Sequence, residues 1–342
     1  YNYVNQARMT GVGVIFFIAA ISISLGFALG CAVSEPLQRL GHLMHLLSDL
    51  DWGCHSAELV SLCLENQRAH IRDISELQSA FCSLVRGIEA FTKFVPGTVV
   101  TRVIRGDRRA TRLHVDRRDV TTMFSSIGNF KQVSKELTDE ALLKVIGRYH
   151  TIMTLVVEYY EGAVAEILDD GLLVYFNTPD NVTHHAAKAC DAALAQQHAM
   201  EMLNAQLAES GWPTLEAHIG IHTGNVLSGN IGTDRKMKFG CMGDSVNLAS
   251  RLNGCCKFYG VSTILSGATY AALPKGIGLF CRKLDLVRVK GRREPTPIYD
   301  IVGREQRVEN YVGPTASIRS AGSGGSSTFR KSFTETMARA YS

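Results

Sequence analysis

A long apolar run near the start of the chain gives way to shorter, periodic patterns. Residues 10–34 contain no charged side chain and are rich in Ile, Phe, Leu, Ala and Gly. About 20 apolar residues in a helix cross the hydrocarbon core of a bilayer. No small-residue cleavage pattern follows the run, which argues against a signal peptide. The pattern therefore predicts one transmembrane helix, with residues 1–34 forming a juxtamembrane and membrane-spanning segment.

Two stretches with apolar residues at helical spacing come next. The first begins at Pro36 and the second runs from Ile71 to Ile88, and a less regular stretch at residues 51–53 separates them. Two short helices on either side of a connector, directly after a membrane helix, resemble a HAMP module. A generic coiled-coil linker is the alternative. Either arrangement predicts a parallel helical stalk over residues 35–92 that dimerises through an apolar seam.

Beyond a lead-in segment at residues 93–118, which carries a basic patch, the pattern changes to alternating strands and helices. An Asp-Gly pair between two apolar runs predicts a hairpin turn at Asp170-Gly171. The predicted strands are 120–124, 163–168, 172–176, 215–222, 224–229, 261–265, 284–289 and 297–302, and the predicted helices include 141–160 and 184–207. We expect an α+β domain over residues 119–303. Gly and Ser dominate the sequence after it, which predicts a disordered tail over residues 304–342.

Composition narrows the class of protein. The 36 Lys and Arg residues nearly balance the 32 Asp and Glu residues, so nucleic acid is not expected as a partner. Nine cysteines occur without a C-x-x-C pair. This usage indicates reduced thiols in a cytosolic domain rather than a disulfide framework or a zinc site.

A ten-residue run that begins at Gly243 carries the strongest chemical signal. Its first residue suits a tight turn, and Asp244 or Ser245 is predicted to cap the helix that follows. Asn247 and Arg251 lie four residues apart and so share one helical face. A neutral donor beside a fixed guanidinium suits a triphosphate whose charge shifts during reaction, although a solvated polar face is the plainer interpretation.

Several short motifs, in a fixed order, give the chain its resemblance to a known family. It resembles the class III nucleotide cyclases, with a ferredoxin-like α+β catalytic domain preceded by a transmembrane helix and a HAMP or coiled-coil stalk. The resemblance implies a single-pass membrane protein with a cytoplasmic catalytic domain. The matching segments are Thr121–Phe130, Gly162–Val164, Asp170-Gly171, Ile219–Gly224, Gly243–Leu252 and Val289–Gly291.

The resemblance also implies roles for single residues. Catalytic domains of this family form head-to-tail dimers with active sites at the interface. One subunit holds two divalent metal ions, Mg²⁺ or Mn²⁺, on two carboxylates, and the other supplies base-recognising residues and an Asn/Arg pair. By position, Asn247 and Arg251 match that pair, Lys290 matches the triphosphate-binding Lys, and Asp170 matches the second metal carboxylate.

Two departures from the family pattern qualify this picture. Ser126 stands where the family has the first metal-binding Asp, and a neutral hydroxyl is a weak ligand for Mg²⁺. Glu166 matches the residue that favours guanine, because a carboxylate accepts from guanine N1–H and the 2-amino group. Gly240 occupies the second base-recognising position and offers no side chain, so GTP is favoured over ATP by one contact.

These observations predict a membrane-bound purine nucleotide cyclase that forms a 3′,5′-cyclic nucleotide and pyrophosphate. The chain is expected to act in a homodimer or in a heterodimer with another cyclase chain, giving the base-recognising and Asn/Arg half of the site. Two alternatives stay open. One is an adenylyl cyclase with atypical base contacts, and the other is a weakly active or inactive regulatory subunit, as Ser126 suggests.

Overall fold

The computed structural model of the chain describes residues 2–49, 71–92, 94–95, 97–288 and 295–304. The chain divides into two compact units, Tyr1–Ala110 and Thr111–Ser342. The connector predicted at residues 51–53 lies outside the described residues, as does the tail predicted beyond residue 304.

The first unit consists of helices. They are α1 (Asn2–Asp49), α2 (Arg72–Thr92) and α3 (Gly97–Ile104). Helix α1 continues through Pro36. Within its stretch Gly11–His45, an 18-residue window has a mean hydropathy of 2.5 and no buried residue, so the helix is long and apolar enough to span a membrane. Leu40 and Leu43 of α1 form an apolar cluster with Phe81 and Val85 of α2. Residues 35–49 and 72–92 are helical, and the dimerising stalk and its HAMP character stay predictions.

The second unit alternates strands and helices, as the sequence predicts. The strands are β1 (His114–Ile127), β2 (Ala163–Ile167), β3 (Gly171–Phe176), β4 (Ala217–Thr233), β5 (Lys236–Met242), β6 (Thr263–Ser266), β7 (Leu279–Val287) and β8 (Thr296–Arg304). The helices are α4 (Phe130–Glu136), α5 (Asp139–Tyr159), α6 (His185–Glu209), α7 (Asp244–Tyr259) and α8 (Gly267–Ala271).

These strands form one sheet with helices on both faces. Its order is β2-β3-β1-β4-β6-β8-β7, and β5 pairs with β4. Met123 and Ile127 of β1 point into the main core with Tyr149 of α5, whereas Val120 belongs to a separate cluster with Val246 of α7. Because side chains alternate along a strand, α7 packs on the face opposite to α5 and α6. The predicted α+β architecture is confirmed.

The expected strand pair at residues 215–222 and 224–229 is wrong, because both segments belong to the single strand β4. Gly224, the first residue of the second predicted strand, lies in register with Val120 in the middle of the β1–β4 pairing. A Cβ at Gly224 would lie 2.6 Å from Ser245 Oγ. The glycine therefore makes room for helix α7. The second half of β4 pairs with β1 on one side and with β5 on the other, and the sequence pattern did not predict β5.

A buried ion pair joins strand β8 to helix α6 in the second unit, and its loss is expected to destabilise the fold. Arg304, at the end of β8, donates to the carboxylate of Asp191 on α6, whose side chain is only 2% exposed. Arg304→Ala leaves that carboxylate without this partner. We expect the free energy of unfolding to fall by about 3 kcal/mol. Guanidinium unfolding of the chain in detergent micelles, followed by Trp212 fluorescence in a Trp52→Phe background, measures the change.

The matched control is Lys238→Met. Lys238 donates to Glu166 over 3.1 Å, and the two side chains are 65% and 45% exposed. Water replaces much of an exposed ion pair, so this change is expected to cost about 1 kcal/mol or less. Equal destabilisation by the two substitutions would show that burial of the Arg304–Asp191 pair carries no special weight.

Candidate active site

Helix α7 begins abruptly at the end of the β4–β5 hairpin. Gly243 takes a φ of +153°, which favours glycine, and it occupies the N-cap position without a side-chain cap. The prediction that Asp244 or Ser245 caps the helix is therefore wrong. Asp244 is the first helical residue, and its Oδ1 lies 3.8 Å from Arg251 Nη1. Ser245 is buried, and its hydroxyl donates to the carbonyl oxygen of Asn225 over 3.4 Å.

Asp244, Asn247 and Arg251 form a polar stripe along α7, three and four residues apart. Asn247 is exposed and the Arg251 side chain is 36% exposed. Leu248 and Leu252 are fully buried against the sheet. The predicted shared face of Asn247 and Arg251 is confirmed. Because buried neighbours hold the helix, the amide and the guanidinium are presented on a rigid support.

Glu166, predicted to recognise the base, forms an ion pair rather than standing as a lone carboxylate. Lys238 Nζ of β5 donates to Glu166 Oε2 of β2 over 3.1 Å, and both side chains are largely exposed. A hydrogen-bond acceptor and a donor therefore stand side by side. Sequence reasoning missed Lys238, because 72 residues separate the two and no local motif marks their contact.

Gly240, the second base position, is buried and pairs with Gly229 across the β4–β5 hairpin. A Cβ at this glycine would have Ile231 Cδ1 and Lys238 Cε as its nearest neighbours, each 4.0 Å away, so a side chain would fit. The adjacent Cys241 instead packs against the cluster of Val120 and Val226. Burial raises the pKa of the Cys241 thiol to about 11, so it stays neutral. Because side chains alternate along a strand, Cys241 points to the face opposite to residue 240.

The metal-binding positions meet where β1 approaches the β2–β3 turn. Ser126 lies opposite Gly171 in register, and Ile127 N donates to Asp170 O over 2.8 Å. The backbone therefore places Ser126 close to Asp170. However, Ser126 is only 8% exposed, and its hydroxyl donates to Asn253 Oδ1 over 3.0 Å.

This donor set does not fit a pair of divalent cations. Mg²⁺ prefers carboxylate oxygens, and a two-ion centre needs carboxylates that both ions share. The chain offers Asp170 and a hydroxyl that is already engaged with Asn253. Across the part of the chain that the structure describes, no group of three His, Cys, Asp or Glu side chains is placed to hold a metal ion.

Two histidines near the sheet are engaged in the fold. His222 Nδ1 lies 2.7 Å from Ser266 Oγ in the core, and His185 Nδ1 lies 2.8 Å from Thr121 Oγ1. Burial lowers the pKa of His185. Neither residue points to a metal centre. Lys290, the predicted triphosphate ligand, lies outside the described residues, and its role stays a prediction.

Comparison with known proteins identifies the class of this domain. Its α+β fold and its polar helix stripe lie within residues 114–303, which match the family "Adenylate and Guanylate cyclase catalytic domain". That match covers more than half of the chain. The chain therefore belongs to the class III nucleotide cyclase family, and the resemblance found in its motifs is confirmed.

Individual relatives agree with this assignment. Adenylate cyclase 1 of Rhizobium meliloti (strain 1021) is 28% identical over 313 residues, which are 92% of this chain and 45% of that protein. This chain thus spans less than half the length of that relative. Two crystal structures share 30% identity and a TM-score of 0.52, namely those of the guanylyl cyclase Cya2 and of the adenylyl cyclase CyaB from P. aeruginosa.

The two crystal structures differ in their named substrate but not in their similarity to this chain. The match covers 98% of each solved chain. It covers 58% of this chain for the guanylyl cyclase and 56% for the adenylyl cyclase. The catalytic domain thus accounts for nearly all of both solved chains. Because a guanylyl and an adenylyl cyclase match equally well, the base preference has to be argued from the site itself.

Proposed function

We propose that the chain is a membrane-bound purine nucleotide cyclase subunit. It converts GTP, in preference to ATP, to the 3′,5′-cyclic nucleotide and pyrophosphate, together with a second cyclase chain. Residues 1–34 span the membrane, residues 35–92 form the dimerising stalk, and residues 119–303 act in the cytoplasm. The observation that carries the proposal is the intact Asn247/Arg251 stripe beside a metal half in which Ser126 is hydrogen-bonded to Asn253.

The Asn247/Arg251 stripe supports the catalytic role. A guanidinium fork and an amide donor can both bond to non-bridging phosphate oxygens. Donors that are fixed before the reaction stabilise the charge that develops on the phosphate more than mobile ones do. Asp244 lies at the N-terminal end of the stripe, where its carboxylate draws Arg251 along the helix.

The Ser126 position supports the need for a partner. In a homodimer each site would receive Asp170 as its only family-matching carboxylate, which does not fit the metal pair. A partner chain with both carboxylates would hold the cations, Mg²⁺ or Mn²⁺, opposite this chain's Asn247 and Arg251. Bound there, the cations supply Lewis-acid charge neutralisation, and this chain contributes the phosphate donors and the base contacts.

The Glu166–Lys238 pair supports GTP. The Glu166 carboxylate accepts from guanine N1–H and the 2-amino group, while the Lys238 ammonium can donate to guanine O6. Adenine offers an acceptor at N1 and a donor at its 6-amino group, so both contacts are reversed. The alternative, an adenylyl cyclase with atypical base contacts, is favoured by the adenylate cyclase name of the Rhizobium meliloti relative, which matches most of this chain.

A third candidate, a non-catalytic regulatory subunit, is favoured by the engaged hydroxyl of Ser126. Both this candidate and the main proposal require a dimer with another cyclase chain, but only the main proposal gives this chain a part in the reaction. The two differ in what happens when the missing carboxylate is supplied from another chain. Complementation between variants of this one chain separates them.

The test uses a complementing chain with two changes, Ser126→Asp and Arg251→Ala, which provides a metal half but no guanidinium. Co-expressed with the unchanged chain and assayed with GTP and Mn²⁺ or Mg²⁺, it is expected to form cyclic nucleotide well above either homodimer. The gain arises because only the mixed dimer brings two carboxylates to one intact Asn247/Arg251 pair. Cyclic GMP and cyclic AMP are measured with each nucleotide.

Two results would contradict the proposal. Turnover by the unchanged homodimer at the rate of the mixed dimer would remove the need for a partner. Mixed dimers that assemble and bind nucleotide but form no cyclic product would favour the regulatory subunit. A complementing chain that keeps Ser126 and carries only Arg251→Ala is the control, and it should give no gain.

A further inference from the structure

Helix α7 rests directly on the backbone of the sheet. A Cβ at Gly220 of β4 would lie 2.2 Å from Ala249 O and 2.3 Å from Asn253 N, which is closer than any side chain allows. Strand and helix backbones therefore touch at this glycine. Because the two backbones are in direct contact, the distance between helix α7 and the sheet is fixed.

Asn253 secures the same part of the helix laterally. Its Nδ2 donates to His218 O of β4 over 2.6 Å and to Phe124 O of β1 over 3.3 Å. Its Oδ1 accepts the hydroxyl of Ser126 over 3.0 Å. One half-buried amide thus uses both of its donor hydrogens and one acceptor position to join α7 to two neighbouring strands. These three hydrogen bonds of Asn253 form the joint between helix and sheet.

We propose that Asn253 is a positioning residue for Asn247 and Arg251. It lies two residues after Arg251 and six after Asn247 on the same helix, and the helix is stiff over that length. A shift of the joint moves both phosphate-binding groups. This inference rests on the proposed function, because it assigns Asn253 a part in placing those groups for the reaction.

The same joint explains why a serine suits position 126 of this chain. An Asp carboxylate there would face Asn253 Oδ1, acceptor against acceptor. Turning the amide to offer Nδ2 to that carboxylate would place Oδ1 against the carbonyl oxygens of Phe124 and His218. The metal position and the Asn/Arg helix are therefore coupled within one chain, and Ser126 is the hydroxyl that completes the joint.

The complemented dimer is the mixed dimer of an unchanged chain with the complementing chain that carries Ser126→Asp and Arg251→Ala. The test places Asn253→Ala on the chain that supplies Asn247 and Arg251 in this dimer. We expect kcat to fall by about tenfold or more, with the KM for GTP changed by less than about twofold, because small misplacements act mainly on the transition state. Asn204→Ala is the matched control. Asn204 also joins a helix to a neighbouring segment by two backbone bonds to Leu215, each 2.8 Å long, but it lies on α6.

Asn204→Ala should lower the melting temperature about as much as Asn253→Ala and leave kcat unchanged. An equal effect of the two variants on kcat would overturn the proposal. Ser126→Ala, which keeps both carbonyl bonds of Asn253, is the milder variant should Asn253→Ala fail to fold. It is expected to lower kcat in the same way by a smaller factor, and an unchanged kcat in this variant would also count against the proposal.

Amide hydrogen exchange on the full chain in detergent micelles separates this inference from the proposed function. Asn253→Ala should speed exchange in residues 245–251 of α7, and Asn204→Ala should not. If every pairing is inactive, the proposed function fails and the exchange result alone decides the positioning role. Unchanged exchange in α7 of the Asn253→Ala chain would overturn that role even if the enzyme is active.

Discussion

Arg251→Ala is expected to lower kcat for cyclic nucleotide formation by about 100- to 1,000-fold when it is made on the unchanged partner of the complemented dimer. Neither chain then carries the Arg251 guanidinium, because the complementing chain already has Arg251→Ala. The loss falls on kcat because the phosphate gains its extra charge only as the reaction proceeds. Initial rates over a range of GTP concentrations measure kcat and KM separately.

Arg251→Lys keeps the positive charge but loses the planar fork, so it should recover only part of the rate. Asn247→Ala removes the neighbouring donor and should lower kcat in the same way. Arg235→Ala, in the exposed turn between β4 and β5, is the surface control and should leave the rate unchanged. A fall in nucleotide affinity with kcat unchanged would mean that Arg251 binds the substrate and the transition state equally.

Features set by local sequence were predictable for this fold. The β2–β3 hairpin follows from one Asp-Gly pair, and α7 follows from a glycine start and buried leucines at helical spacing. Strand β4 was divided in error because Gly224 serves a contact with Ser245, which lies 21 positions further along the chain. A glycine needed for close approach and a glycine needed for a turn look the same in sequence.

The candidate site shows the same limit more clearly. Position alone matched Asn247, Arg251 and Asp170 to the family pattern. It could not reveal that Lys238 faces Glu166, or that Asn253 accepts from Ser126, because 72 and 127 residues separate those partners. Both contacts depend on how the sheet brings distant strands and α7 together, and both change how the site is interpreted.

The second large effect is expected on the preference for GTP over ATP. Glu166→Lys should lower the ratio of kcat/KM for GTP to that for ATP by about 10- to 100-fold, the discrimination that a pair of polar base contacts provides. The change removes the acceptor for guanine N1–H and puts a donor in its place, beside the ammonium of Lys238. The ratio is measured in the complemented dimer, with the substitution on the chain that supplies Asn247 and Arg251.

Two controls separate base recognition from the ion pair itself. Lys238→Met removes the contact to guanine O6 but leaves the Glu166 carboxylate in place, so it should lower the preference for GTP less than Glu166→Lys does. The double change Glu166→Lys and Lys238→Glu keeps an ion pair but moves the carboxylate to the other strand, so the preference should be lost while the melting temperature is maintained. The exposed pair contributes about 1 kcal/mol or less, so neither control should unfold the domain.

Each outcome assigns the preference to a definite cause. If Lys238→Met shifts the ratio as much as Glu166→Lys does, the ammonium rather than the carboxylate discriminates between the bases. If Glu166→Lys leaves the ratio within about twofold, Glu166 does not read the base, and the adenylyl cyclase alternative gains support wherever ATP is the better substrate. Gly240 then becomes the position to fill, because the space above it accepts a side chain that could supply the missing base contact.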